Sequence, residues 1–190
     1  MYSHLVSHIR KFLSLSEEDE QILASHFTKK TFRKKEHILE AGQICQSKYF
    51  VDKGCLRLYM VDESGSEQTI HFAIEHWWMT DYFSFETQKP SHFYIQAVED
   101  VELVVLEKSK MSDLFEKLPS IERYFRIVAE RAYAASLMRI QYIFTLSGEE
   151  RYRFFSQSQP DFVQRVPQYM LASYLGFTPE FLSKIRAKKI

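Results

Sequence analysis

Near its C-terminal end the chain gathers Thr178, Glu180, Ser183, Lys184, Arg186, Lys188 and Lys189 around the apolar Leu182 and Ile185. On a helix, polar residues opposite an apolar stripe can meet base edges and phosphates in a major groove. Glu180 can accept from a cytosine amino group and Lys184 can donate to guanine. With Ser183 between them, these three are the expected base readers. Thr178, Arg186, Lys188 and Lys189, joined by Gln168 upstream, suit phosphate oxygens. A helical hairpin with a solvated charged face could share this composition, so the neighbouring residues have to decide.

They favour a helix-turn-helix. Ala172 and Gly176 stand four apart, where two helices at a steep angle need a small residue at their approach and a flexible one at the turn. Leu171, Leu175, Phe177, Leu182 and Ile185 supply a shared apolar face. Thr178 can cap the second helix, Pro179 suits its first position, and Glu180 complements the positive end of its dipole. From Val163 to Ile190 five basic residues face one acidic residue, a local net of +4 on a chain with 25 basic and 25 acidic residues overall. A basic end on a balanced chain predicts a local footprint on double-stranded DNA rather than a general nucleic-acid coat.

The 190 residues suffice for one large or two modest domains. No apolar run approaches a membrane span, and the N-terminus, with His4, His8, Arg10 and Lys11, lacks the apolar core of a signal peptide. The expectation is a cytoplasmic protein without membrane contact. Cys45 and Cys55 are the only cysteines, too few for a disulfide scaffold or a cysteine-ligated iron–sulfur cluster.

Ser16-Glu17-Glu18-Asp19 resembles a capping box opening a short helix through Ile22 and Leu23. Period-two patterning follows, in short runs punctuated by Gly42, Gly54 and the Asp62–Gly65 turn. It predicts an antiparallel sandwich or barrel over about residues 30–107. A small helix near Lys110–Leu118 precedes Pro119 and a long helical pattern from 119 to 146. There Ile121, Phe125, Val128, Ala132, Ala135, Arg139, Tyr142 and Leu146 alternate spacings of four and three, a coiled-coil-like seam. Such a seam either lies on its own sandwich or pairs with a second subunit, where Ala132 and Ala135 would allow close approach. Ser147-Gly148-Glu149-Glu150 is a second capping box that restarts the chain as a new helix. The expected division is therefore 1–146 and 147–190, the second part carrying the helix-turn-helix.

This order resembles the cAMP receptor protein/fumarate-nitrate regulator (Crp/Fnr) family over nearly the whole chain. Its most specific residues are Arg165-Val166-Pro167, Ala172 to Glu180, and Leu182-Ser183-Lys184-Ile185-Arg186. The resemblance implies an α+β protein: an N-terminal antiparallel β-roll of the cyclic-nucleotide-binding type, a long dimerisation helix and a C-terminal helix-turn-helix. It also implies a homodimeric transcription regulator on a palindromic operator, often one that recruits RNA polymerase. In members that bind cyclic nucleotides, a Gly-Glu pair holds the ribose and an Arg-Ser pair ten residues later clamps the phosphate. Counting back from Ala97 puts Thr80-Asp81 and Ser91-His92 at those places. Without the arginine, the expectation is a different small-molecule effector or none, held if at all near Thr80, Asp81, Tyr82, Ser91 and His92. Members commonly continue into a hairpin wing, whereas this sequence ends at Ile190. Fewer phosphate contacts, and a shallow salt dependence at about −0.9 per phosphate, are expected.

Trp77-Trp78 with Tyr82, Phe83 and Phe85 forms an aromatic cluster where the family places its ligand, either an apolar pocket or the filling of one. His71, His76 and His92 lack the tight His-x-His spacing of metal sites in sandwich folds, so neither metal nor cofactor is expected. Cys45 and Cys55 flank a predicted hairpin and could face one another as a redox pair, although isolated cysteines near strands are more often inert core. No nucleophile-base order, phosphate-cradling glycine loop or paired metal carboxylates occur, which argues against an enzyme. The alternative function is a small-molecule sensor whose helix-turn-helix serves as a protein-interaction surface.

Overall fold

The computed structural model describes residues 2–187. They divide into two compact units, one of residues up to Met60 with His71–Val128, the other of Val61–Ile70 with the residues from Ala129 onward. The boundary falls inside a long helix rather than at Ser147-Gly148, and the tip of a hairpin belongs to the second unit.

The first unit opens with α1 (Ser3–Ile9) and α2 (Glu17–His26). Ser16 and Asp19 form the reciprocal capping box at the start of α2: Ser16 Oγ accepts from Asp19 N–H at 3.1 Å, and the Asp19 carboxylate accepts from Ser16 N–H at 2.8 Å. One four-stranded sheet runs β1 (Phe27–Phe32), β8 (Val101–Glu107), β3 (Ser47–Lys53), β6 (Trp78–Met79). The other runs β2 (His37–Leu39), β7 (Tyr94–Ala97), β4 (Leu56–Val61), β5 (Glu67–Ala73). The pairings whose register is defined are antiparallel, such as Phe27 opposite Leu106 and Leu58 opposite Ile95. These two antiparallel sheets agree with the sandwich or barrel expected from the alternating pattern and with the β-roll implied by the family resemblance.

The unbroken apolar run Leu103–Leu106 has a physical reason. Val104 and Leu106 join Phe50 in a core with Leu5, Ile9, Leu23, Leu114, Ile121 and Tyr124 from the helices, while Leu103 and Val105 are buried as well. A strand covered on both faces reads as continuous hydrophobic sequence rather than alternation. Within the roll α3 (Tyr82–Thr87) lies between β6 and β7, and after it come α4 (Lys108–Lys117) and α5 (Ser120–Thr145). The sequence pattern foresaw α4 and α5 but neither α1 nor α3, each of which is under two full turns long.

In the second unit, the far half of α5 leads to α6 (Gly148–Ser158), α7 (Pro160–Arg165), α8 (Gln168–Leu175) and α9 (Pro179–Ala187). Ser147 and Glu150 make the second capping box as read. Pro160 ends α6 only to serve as the first residue of α7, a helix the sequence reading omitted. The turn after α8 depends on Gly176. At φ 76° it occupies the left-handed region, and Phe177 N–H returns to Ala172 C=O at 2.9 Å, satisfying a terminal carbonyl.

Candidate functional site

Two regions carry the functional side chains, one in each unit. In the second unit α9 presents Thr178, Glu180, Ser183, Lys184 and Arg186 exposed, while Leu182 and Ile185 are buried beside Leu171, Ala172 and Leu175 of α8. Thr178 Oγ1 accepts from Phe181 N–H at 3.2 Å, the capping contact anticipated from the sequence. Glu180 has its pKa lowered by its own backbone N–H and by the Thr178 hydroxyl, with a smaller pull from Lys184, so its carboxylate stays ionised and acceptor-only. Gln168, at the start of α8, lines a groove with Pro179, Leu182, Ser183, Arg186 and Ala187. Among the described residues its Oε1 has no hydrogen-bond partner. Lys188 and Lys189 lie outside the described residues. Tyr169, which the sequence reading passed over, is exposed immediately after Gln168.

The same unit contains a polar connection that no motif signals. Ser173 Oγ of α8 accepts from Thr69 N–H at 2.8 Å and donates to Glu67 C=O at 2.9 Å. Arg139 of α5 donates to Ile70 C=O and to Tyr174 C=O, each at 2.7 Å, with its guanidinium 4.2 Å from the Tyr174 ring centroid. The arginine that interrupted the apolar seam thus ties three segments of the second unit together. Gly148 adds a close approach, because a Cβ there would come within 2.6 Å of the Phe181 ring on α9.

Part of the seam makes contacts within the chain. Ile121 is fully buried in the roll-side core, Phe125 and Val128 pack against that core, and Tyr142 lies against Phe154 with ring centroids 4.7 Å apart. Ala132 and Ala135 are exposed on the same side. The large apolar residues left exposed on α5 are Tyr133, Leu137, Met138, Ile140, Ile143 and Phe144; of these Tyr133, Leu137, Ile140 and Phe144 are also spaced four, three, four, with Phe144 83% exposed. At 3.6 residues per turn this stripe lies about 140° around the helix from the seam read in the sequence. Both stripes have heptad spacing, and only packing distinguishes the intramolecular one.

In the first unit the ligand positions implied by the family resemblance form a closed network. Asp81 Oδ1 accepts from Phe83 N–H and Ser84 N–H as the cap of α3, and its Oδ2 accepts from Ser91 Oγ at 2.7 Å. Asp81 and Ser91 are 4% and 3% exposed. Thr80 is also buried and donates to Ser47 C=O. His92 is exposed, and Tyr82, 45% exposed, sets one ring face 4.9 Å from Lys48 Nζ. The carboxylate that could meet a ribose is therefore occupied in capping its own helix, and the position where an arginine would clamp a phosphate holds a serine bonded to that carboxylate. These residues do not fit a cyclic phosphate, which needs a cation and convergent donors.

Arg57 on β4 is a buried basic residue the sequence reading missed. Its guanidinium donates twice to Gln96 Oε1, at 2.8 and 2.6 Å, and stacks 3.9 Å from the Tyr59 ring centroid. No local pattern marks it, since only the fold brings β4 beside β7. His71, His76 and His92 separate: His71 stacks on Trp77, His76 lies near His4, and His92 is exposed. Among the described residues no His, Cys, Asp and Glu group is arranged to hold a metal. Cys45 and Cys55 are both buried free thiols, Cys45 beside Thr80 and the Ser47 carbonyl. The aromatic cluster splits, with Phe85 buried and Trp77, Tyr82 and Phe83 exposed.

Residues 29–118 match the family model of the cyclic nucleotide-binding domain. Among solved structures, FixK2 from Bradyrhizobium japonicum is similar at a TM-score of 0.74 and 16% identity, over 85% of this chain and 83% of that one. The regulator CLP of Xanthomonas campestris, described as c-di-GMP responsive, gives 0.70 at 12% identity over 91% of each chain. The catabolite activator protein of Thermus thermophilus gives 0.58 at 20% identity, over 93% of this chain and 84% of that one. A search of curated proteins found no match. Residues 29–118 thus match the cyclic nucleotide-binding domain, and the fold over most of the chain is the one shared with these solved structures. No helix among the described residues is long and apolar enough to cross a membrane.

Proposed function

We propose that the protein is a homodimeric, cytoplasmic transcription regulator that reads a palindromic operator with the α8–α9 helix-turn-helix. The observation that carries the reading is the exposed polar and basic face of α9, capped at Thr178 and seated on α8 through Leu182 and Ile185. Glu180, Ser183 and Lys184 reach base edges, while Thr178, Gln168, Arg186, Lys188 and Lys189 hold phosphates. Two such helices related by a twofold axis read half-sites about 10–10.5 base pairs apart, centre to centre. The second copy docks along Tyr133, Leu137, Ile140 and Phe144, whose heptad spacing suits a helix pair. RNA polymerase is the expected further partner if the regulator activates.

Lys184→Ala should cost about 1–3 kcal/mol on the cognate site and relax preference at one base pair, whereas Arg186→Ala should weaken all duplexes alike. Competition gel shifts on cognate and scrambled duplexes separate the two. Equal loss on both for Lys184→Ala would remove it from the base readers. The roll answers to an effector other than a cyclic nucleotide, or to none, because Asp81 and Ser91 are bonded to each other. Isothermal calorimetry with cAMP should register no heat of binding at micromolar concentration, and a micromolar Kd would mean that another donor replaces the missing arginine.

A further inference from the structure

Lys48 on β3 directs its ammonium group into an aromatic recess. Its Nζ lies 4.9 Å from the ring centroid of Tyr82, 4.8 Å from that of Phe85 and 5.8 Å from that of Phe125. Lys108, the first residue of α4, brings its own Nζ to 4.5 Å from the same Phe85 centroid. Two ammonium groups therefore share one ring, and the carboxylate beside them is Glu86, 3.9 Å from Lys108. Cation–π attraction accounts for holding either lysine, but it does not neutralise the second charge. Burial lowers the pKa of Lys48; Glu86 opposes that effect and Lys108 adds to it. The Tyr82 phenol is raised by burial first and by Glu86 second, so it remains a protonated neighbour. The recess is reachable from one side, where Glu86 is 64% and Lys108 31% exposed at the side chain.

Desolvation and a neighbouring cation both disfavour the ammonium form of an amine and so raise its nucleophilic fraction at a given pH. We propose that Lys48 is an acylation site whose acyl donor is an acyl phosphate, with Lys108 drawing the phosphate group into the recess. The neutral Nζ attacks the acyl carbon, forming a C–N bond while the C–O bond to phosphate breaks. Inorganic phosphate leaves with the bonding pair, and the proton from Nζ passes to it or to water. The resulting amide has lost its charge, so the recess keeps Lys108 paired with Glu86 and no longer holds two cations. A modification here sits between β3, α3, α4 and the start of α5.

The test is acetylation of the full chain by acetyl phosphate, with occupancy at each lysine followed by peptide mass spectrometry. Lys48 should react faster than the exposed Lys30 and Lys34, and denaturation should erase the difference. A Lys48 rate no higher than that of Lys30 overturns the proposal. Lys108→Gln, with folding checked by tryptophan fluorescence, should slow acetylation of Lys48 and leave Lys30 unchanged. With an uncharged acetyl ester as donor, the loss caused by Lys108→Gln should shrink, since only the amine's basicity is then affected. An equal loss with both donors overturns the phosphate-steering role of Lys108.

Discussion

Ile140→Glu should convert the dimer to monomers and lower operator affinity by about two to four orders of magnitude. Ile140, Leu137, Tyr133 and Phe144 form an exposed apolar stripe on α5, with Met138 and Ile143 exposed beside it. Scattered single apolar residues on a surface need no explanation, but a heptad-spaced stripe of four is an unpartnered helix seam. Across a twofold axis the two introduced carboxylates would face one another in a low-dielectric contact, which opposes association. The protomer should remain folded, because position 140 faces solvent within it. DNA affinity falls because the second half-site is then no longer bound intramolecularly, an advantage worth about 10²–10⁴ in linked systems. Sedimentation velocity and gel shift give the two readouts. A variant that keeps the dimer mass would place the subunit contact on another face.

Tyr124→Ala should destabilise the first unit by about 3–5 kcal/mol, the usual cost of emptying a buried aromatic site. Tyr124 is fully buried where α5 meets the roll. Its hydroxyl accepts from Trp78 Nε1–H at 2.7 Å and lies 2.8 Å from His8 Nδ1, and burial raises its pKa so that it stays a phenol. Its ring also meets Phe12, His8 and Phe125 edge-on. Removing the side chain leaves a cavity and strips the indole N–H of its partner, which adds a desolvation penalty. Tyr124→Phe keeps the ring and isolates the polar part, at about 1–3 kcal/mol. Against a total stability of about 5–15 kcal/mol for a typical domain, the alanine variant should show a large fall in urea midpoint. A loss under about 1 kcal/mol would mean that the helix is not anchored through this residue.

The features legible in the sequence are those fixed within a few residues. The capping boxes at Ser16 and Ser147, the left-handed turn at Gly176 and the Thr178 cap each rest on local hydrogen bonds whose donors and acceptors are near neighbours. The polar face of α9 follows from helical periodicity once that turn is placed. What escaped depends on packing between distant segments. The seam of α5 has two solutions with identical spacing, and only contact with the roll core and with Phe154 assigns Ile121, Phe125, Val128 and Tyr142 to intramolecular contacts. Likewise, Asp81 and Ser91 are recognisable as ligand positions by counting, but their bond to each other requires α3 to form between them. Lys48 meets Phe85, Arg57 meets Gln96, 39 residues on, and Ser173 meets Glu67, 106 residues back, so no window of sequence marks them.

The central claim is that a dimer of this chain reads a twofold operator through α9 without a cyclic nucleotide. Selection of bound sequences from a random duplex library, run with and without cAMP, tests it most directly. The account expects the same palindrome in both arms, with half-sites about one helical turn apart. Failure to enrich any palindrome without cAMP, or enrichment of a single unpaired half-site, would contradict it.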